Sequence, residues 1–212
     1  MSTPAAVSDG RGHDVLSWAV AETPFPNESE SGDRYVVQQS GDGILIAVVD
    51  GAGHGSEAAA AARIATSTVQ THAQESPLAL LLRCHEELKG TRGVVMTIAF
   101  IDSRDRTITW SGVGNVEALL FHGRGEQRSR PDRAMLRNGV LGYRLPAMRA
   151  EVLPLQVFDT LVIVTDGIRP GYDDGLVLGG DPQVIANGIL ATHHGGGDDA
   201  LVLVARYLGG PR

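Results

Sequence analysis

Acidic residues beside apolar runs are the part of the sequence whose chemistry is easiest to interpret. Asp50, Asp166 and the pair Asp198 and Asp199 each adjoin a run of apolar residues, and a glycine follows the first two. Carboxylate oxygens are the ligands that Mg²⁺ and Mn²⁺ prefer, whereas zinc sites are built from histidine and cysteine, which form no such group here. The pattern predicts a divalent-cation site if the fold brings these turns together.

The first acidic turn lies between a predicted strand and a predicted helix. Residues 44–49 (ILIAVV) have the length and β-branched content of a buried strand, and the strand ends on Asp50. The alanine-rich residues 58–65 predict a helix with Ser56 as its N-cap. The glycine-rich residues 51–55 between them allow a sharp turn and a close approach of the main chain to a ligand. A carboxylate beside a glycine carbonyl suits a hard cation.

Two other interpretations of this turn remain open on physical grounds. Gly51, Gly53 and Ser56 have the spacing of a dinucleotide-binding fingerprint, in which backbone amides hold phosphate. Asp50 speaks against it, because a carboxylate at the strand end repels phosphate, and no second strand ends on an acidic residue about 20 residues later, as a Rossmann unit requires. The other alternative is a tight turn with a surface aspartate, since Asp-Gly is a common turn pair.

The order of the predicted elements indicates an α+β fold. Short connections between residues 93 and 122 predict an antiparallel meander. Two helices between groups of strands, and a third before the last strand, predict layered sheets with helices outside. Patterning and turn residues place strands at 15–23, 34–39, 44–49, 93–101, 107–111, 116–122, 151–155, 160–164 and 200–207, and helices at 58–65, 77–89 and 182–193.

Composition restricts the classes of protein to consider. The 212 residues are 42% hydrophobic and 20% charged, which is ordinary for one globular domain, and the net charge of −7 disfavours nucleic acid or an anionic membrane as the main partner. No signal-peptide pattern or apolar run of about 20 residues is present, so we expect a cytoplasmic protein. Cys84, the single cysteine, is predicted to lie in the core. We expect residues 1–14 to be flexible and residues 15–212 to form one domain.

Taken in order, several motifs resemble those of the PPM family of metal-dependent serine/threonine phosphatases, in particular its bacterial sporulation-phosphatase-like branch. They are SGD at 31–33, VVDGAGHG at 48–55, VTDG at 164–167 and DDALVLVARY at 198–207. The middle segments RCHEELKGTRGVVMTIAFID, TWSGVGNVEALLF and NGVLGY are similar to those of a small stand-alone member that regulates stress signalling through the stressosome. The family implies an α-β-β-α sandwich with central antiparallel β-sheets flanked by helices.

The resemblance implies a role for each acidic motif. Asp50 would bridge two Mn²⁺ or Mg²⁺ ions, and the Gly51 carbonyl would be a ligand of one of them. Asp166 and Asp198 would complete the protein ligands of the other ion. Asp33 would hold metal-bound water rather than an ion, which makes Asp50 and Asp33 the catalytic residues.

Four further residues near these motifs have weaker roles. Asp199 falls where related proteins often carry asparagine, which implies an orienting neighbour rather than a direct ligand. His54 is a candidate proton donor to the leaving serine, although its spacing from Asp50 differs from that of the family's animal members. Arg34 and Arg169 lie near the motifs, but surface charge is the favoured interpretation of both, so no arginine is assigned to grip phosphate.

The implied function is hydrolysis of phosphoserine or phosphothreonine on STAS-domain regulators of the RsbS or RsbR type, in a stressosome or sigma-factor partner-switching pathway. Two cations held by carboxylates lower the pKa of a shared water and offset charge on the phosphoryl oxygens. A monomer without nucleic-acid or membrane partners is expected. The alternatives are a catalytically silent binding module of the same fold and a nucleotide-binding protein that uses residues 51–55.

Overall fold

The strands of the protein form two stacked β-sheets, and helices cover both outer faces. A computed structural model describes residues 15–123 and 130–210, so the predicted flexible segment 1–14 lies outside the described residues. In chain order the elements are β1 (Leu16–Thr23), β2 (Asp33–Ser40), β3 (Gly43–Gly51), α1 (Ser56–Thr71), α2 (Pro77–Glu87), β4 (Val94–Asp102), β5 (Thr107–Val113), β6 (Glu117–Phe121), β7 (Asp132–Arg133), β8 (Leu136–Arg137), β9 (Glu151–Pro154), β10 (Thr160–Val164), α3 (Pro182–His193) and β11 (Ala200–Tyr207).

Antiparallel pairing dominates both sheets. The five-stranded sheet has the order β1-β11-β10-β6-β7, and every neighbouring pair in it is antiparallel. The six-stranded sheet has the order β2-β3-β4-β5-β8, with β9 paired to the other end of β5. Its pairs are antiparallel except for the two-residue pairing of β5 with β8. The predicted α+β class with central antiparallel sheets is confirmed.

Alternation along the strands produces three apolar layers. In β3, Ile44, Ile46 and Val48 point between the sheets and pack with Leu161, Leu203 and other residues of the second sheet. The opposite face of the six-stranded sheet packs against α1 and α2, and the outer face of the five-stranded sheet packs against α3. The layers therefore follow the order α-β-β-α, as predicted.

The helices begin where the sequence supplies suitable caps. Ser76 accepts a 3.4 Å hydrogen bond from the Ala79 amide at the start of α2, and Asp181 accepts a 2.7 Å bond from the Gln183 amide at the start of α3. A proline follows each cap, where its missing N–H is not needed. The prediction of Ser56 as an N-cap is wrong: the cap of α1 is Gly55, and Ser56 is the first helical residue.

The predicted meander also needs correction. Strands β4 and β5 pair as expected, but β6 leaves their sheet and pairs with β10 and β7 of the other one. The short turn at Gly114 and Asn115 therefore carries the chain from one sheet to the other. No helix among the described residues has the length and apolar character that crossing a bilayer requires.

Candidate metal centre

Two carboxylates lie side by side where β2 begins and β3 ends. Asp33 and Asp50 are direct partners in the antiparallel register of these strands. Asp50 continues the row formed by Ile46 and Val48, so it lies on the face of the sheet that is turned toward the second sheet. The apolar layer between the sheets therefore ends in a pair of acids.

The second sheet brings its own acidic turns to the same place. Thr165 and Asp166 directly follow β10, and the Thr165 hydroxyl accepts a 2.9 Å hydrogen bond from the amide of Leu201 in β11. The same hydroxyl donates a 2.7 Å bond to Asp33 Oδ2, across 132 residues of sequence. Thr165 thereby fixes the β2 acid relative to the neighbouring strands β10 and β11.

Asp199 organises the loop between β1 and β2. Its Oδ1 accepts a 2.8 Å bond from the Phe25 amide, and its Oδ2 accepts a 3.0 Å bond from the Gly32 amide. The Gly32 carbonyl in turn accepts a 3.1 Å bond from the Gly51 amide. Both oxygens of Asp199 therefore accept hydrogen bonds from the main chain.

Two glycines let the backbone segments approach one another closely. A Cβ at Gly51 would lie 2.3 Å from the Ala58 carbonyl oxygen in α1, and one at Gly167 would lie 2.0 Å from the Asp199 carbonyl oxygen. Real side chains do not tolerate such contacts. The Asp-Gly pairs are therefore required by packing as well as by the turns.

The carboxyl groups are close enough to perturb one another. Burial raises the pKa of Asp50 to about 9, and the negative charges of Asp33, Asp166, Asp198 and Asp199 contribute to the rise. Burial likewise raises the pKa of Asp33 to about 8. Desolvation and then the charge of Asp198 raise the pKa of Asp166. An ionised cluster of this kind is unfavourable unless cations offset its charge.

The chemistry of the cluster fits a hard divalent cation. Its side chains offer only carboxylate oxygens, and exposure increases from the buried Asp33 and Asp199 through Asp50 to the exposed Asp166 and Asp198. Within residues 15–123 and 130–210, no three His, Cys, Asp or Glu side chains are arranged to hold a metal ion as they stand.

Two polar residues at the site were not singled out from the sequence. Asn115 Nδ2 donates a 2.7 Å hydrogen bond to Asp166 Oδ2, and Thr165 donates to Asp33 as described above. The only sequence signals were the place of Asn115 in the turn before β6 and of Thr165 directly before an Asp-Gly pair. Neither signal reveals a partner, because both contacts depend on how the two sheets meet.

His54 and Arg169, two of the further candidates, both contact neighbouring residues. His54 stacks on Phe25, with ring centroids 4.3 Å apart, and its Nδ1 lies 3.5 Å from Glu28. The Arg169 guanidinium donates to the carbonyls of Thr192 and His193 at the end of α3, a favourable place for a cation. Arg169 is thus already engaged with the helix, in line with the interpretation as surface charge.

The sandwich and its outer helices have the fold of a PPM phosphatase domain, the class also called PP2C. The family model of stage II sporulation protein E (SpoIIE) matches residues 40–207. This is most of the chain, and the chain belongs to that family. The predicted PPM resemblance, its sporulation-phosphatase-like branch and the predicted fold are confirmed.

Individual relatives make the relationship more specific. Phosphoserine phosphatase RsbX of Bacillus subtilis (strain 168) is 30% identical over 163 residues, which are 76% of this chain and 80% of RsbX. A second relative is a solved structure that concerns the bacterial stressosome, a modular system adapted to control secondary messenger signalling. It has a TM-score of 0.83 and 28% identity, and the match covers 90% of this chain and 99% of that one. The crystal structure of RsbX in complex with magnesium has a TM-score of 0.80 and 22% identity, covering 92% and 96%. RsbX is also the stand-alone member that the middle segments of the sequence resemble.

Proposed function

We propose that this chain is a metal-dependent protein-serine/threonine phosphatase that hydrolyses phosphoserine or phosphothreonine on STAS-domain regulators of a stressosome or sigma-factor partner-switching pathway. The observation that carries the proposal is the meeting of carboxylates from both sheets at one edge of a chain that is 30% identical to a phosphoserine phosphatase. The stressosome context of a similar structure supports the pathway, and the magnesium in an RsbX crystal supports the cation.

The proposed ligands follow the order of the motifs. Asp50 would be the ligand shared by two Mn²⁺ or Mg²⁺ ions, the Gly51 carbonyl would bind one of them, and Asp166 and Asp198 would complete the ligands of the other. The nearness of the other aspartates supports a ligand role for Asp50, because burial and then their negative charges raise the pKa of its carboxyl group. The 2.7 Å bond from Asn115 holds one oxygen of Asp166 and leaves the other for an ion.

The proposed chemistry needs no protein nucleophile. When bound, two divalent ions would lower the pKa of a water and offset charge on the phosphoryl oxygens. Asp33 would orient the attacking water: Thr165 holds its Oδ2, which leaves Oδ1 to accept a hydrogen bond from the water. Burial of Asp33 keeps bulk solvent from competing for that bond.

The remaining expectations belong to the same proposal. The two sheets share one apolar layer, which supports a single domain over residues 15–212. We expect this domain to act as a cytoplasmic monomer on protein substrates.

Substitution of a ligand tests the proposal. Asp50→Ala or Asp166→Ala should abolish release of p-nitrophenol from p-nitrophenyl phosphate in the presence of Mn²⁺, while circular dichroism shows a retained fold. The matched control is Asp105→Ala, which removes an exposed aspartate in the turn between β4 and β5 and should leave turnover unchanged. Unchanged turnover in either ligand variant contradicts the proposal.

The same assay separates the alternatives. A wild-type chain that is inactive at every Mn²⁺ concentration yet binds a STAS-domain protein tightly is a silent module. Saturable nucleotide binding without a divalent cation, undiminished by Asp50→Ala, identifies a nucleotide-binding protein.

A further inference from the structure

A groove of about 960 Å³ includes Ala52 in its lining, the residue bonded to the proposed ligand Gly51. Its wall begins at Ala52, two residues after Asp50, and continues along the exposed side of α1 at Ala60 and Ile64. The segment of residues 138–144 forms the opposite wall. No role assigned above uses this groove.

The opposite wall is held in a defined conformation. Val94 and Leu141 exchange backbone hydrogen bonds of 3.1 Å and 2.8 Å, and Val140 and Arg144 exchange bonds of 3.0 Å and 2.8 Å. The Gly142 amide donates a 3.0 Å bond to His85 Nδ1 in α2. The segment is thus tied to both the sheet and a helix, so the groove exists before any ligand arrives.

The lining combines apolar surface with a positive charge. Ile64 and Tyr143 are exposed to 36% and 78%, although both are large hydrophobic residues. Arg92 is neutralised by Glu57, whose carboxylate lies 2.5 Å away. Arg144 has no ion pair in the described part of the chain, and it contributes a positive charge to a protein whose net charge is −7. An apolar side chain next to an acidic one matches this lining.

We propose that the groove binds the polypeptide segment beside the phosphorylated residue of the substrate protein, and that it selects a segment with an apolar and an acidic side chain. The inference rests on the phosphatase function proposed above. The groove starts two residues from Asp50, so the residues flanking a phosphoserine at the cluster enter it. The net charge of −7 disfavours binding of an acidic segment to the protein as a whole, whereas the Arg144 side of the groove attracts it.

Two phosphoserine peptides test the selection. One carries leucine and aspartate on both sides of the phosphoserine, and the other carries serine and lysine at those positions. The wild-type protein should hydrolyse the first with a kcat/KM at least about tenfold higher. Arg144→Glu should bring this ratio to about one or reverse it, and Tyr143→Ser should reduce it. Arg104→Glu is the matched control, because Arg104 is an exposed arginine paired with Asp42 away from the groove, and it should keep the wild-type ratio.

Each outcome decides the inference. Equal kcat/KM values in the wild type, or an unchanged ratio in Arg144→Glu, overturn it while leaving the phosphatase function standing. If neither peptide is hydrolysed, release of p-nitrophenol from p-nitrophenyl phosphate decides whether the phosphatase function stands. Fluorescence anisotropy of labelled peptides then tests the groove, which should bind the first peptide more tightly than the second. If circular dichroism shows that Arg144→Glu does not fold, Arg144→Gln provides the smaller change and should also lower the ratio.

Discussion

Thr165 and Asp33 join the two sheets at the carboxylate cluster through a 2.7 Å hydrogen bond from the threonine hydroxyl to Asp33 Oδ2. Both residues are buried, with exposed fractions of 1% and 3%. The Leu201 amide donates to the same hydroxyl, so one side chain satisfies a strand amide and a carboxylate together. This bond couples the position of a proposed catalytic acid to the packing of the sandwich.

Replacing Thr165 by valine keeps the shape of the side chain and removes its hydroxyl. Asp33 and the Leu201 amide then lose a buried partner, and we expect the free energy of unfolding to fall by about 1–3 kcal/mol. Phosphatase kcat should fall as well, since Asp33 is no longer fixed. Urea denaturation and steady-state kinetics measure the two effects. Thr109→Val, on the outer face of β5, should change stability by less than about 0.5 kcal/mol, and equal effects of both variants would refute the role of the hydroxyl.

The adjacent acids Asp198 and Asp199 should respond differently to the same substitution. The two carboxylate oxygens of Asp199 accept hydrogen bonds from the Phe25 and Gly32 amides. Asp199→Asn replaces one of these oxygens by an NH₂ group, which cannot accept, so we expect the free energy of unfolding to fall by about 1–2 kcal/mol. Asp198→Asn alters an exposed proposed ligand, so stability should hold while Mn²⁺ affinity falls at least about tenfold. Calorimetric titration with Mn²⁺ and thermal denaturation separate the two variants. Interchanged results would mean that the ligand and the orienting residue are assigned in reverse.

A methyl group should have opposite effects at two glycines. Gly167→Ala places a Cβ 2.0 Å from the Asp199 carbonyl oxygen and should cost about 3 kcal/mol or more. Gly188 lies in α3 with no atom within 4 Å of a built Cβ, so Gly188→Ala should stabilise the protein by about 0.5–1 kcal/mol. Denaturant titration gives both values, and a Gly167→Ala protein as stable as the wild type would contradict the close approach.

His122 should make stability depend on pH. Its Nδ1 lies 3.0 Å from Asp159 Oδ2, and its Nε2 lies 2.7 Å from Asp132 Oδ2. Desolvation lowers the pKa of His122, but the hydrogen bonds and charges of the two aspartates outweigh it, and the pKa is raised. The stabilisation is therefore complete below the unfolded pKa of about 6.5 and is lost as pH rises through the folded pKa.

The corresponding measurement compares His122→Gln with the wild type. The difference in unfolding free energy should be larger near pH 6 than near pH 9, and modest throughout, because the imidazole is 32% exposed. Asp132→Asn, which keeps the imidazole and removes one partner, should reduce this pH dependence. A difference that grows with pH would show that the imidazole is stabilised in its neutral form.

Much of the fold followed from the sequence because local chemistry marks the ends of its elements. Both ends of the helix Pro182–His193 were predicted correctly, because Pro182 marks its start and a glycine run follows its end. The bounds of β11 were also predicted correctly, because the strand begins directly after Asp199. The change of sheet between β5 and β6 was missed, because a short turn does not reveal which strand the chain will pair with next.

The acids of the candidate site were found from the sequence, but their environment was not. Asp50 and Asp166 could be selected because a carboxylate at the end of an apolar run is unusual. The partners Thr165 and Asn115 could not, since their bonds span 132 and 51 residues and depend on how the sheets pack. Residues 138–143 (NGVLGY) were noticed as a motif, but their position opposite α1 could not be predicted, because the segment forms no regular element.

Crystals grown with Mn²⁺ test the central claim most directly, because anomalous scattering locates the ions independently of any assay. We expect two anomalous peaks between Asp50, Asp166 and Asp198, with the Gly51 carbonyl in contact with one of them. Mn²⁺ bound only elsewhere on the protein, or no ion at this edge at saturating Mn²⁺, would contradict the claim.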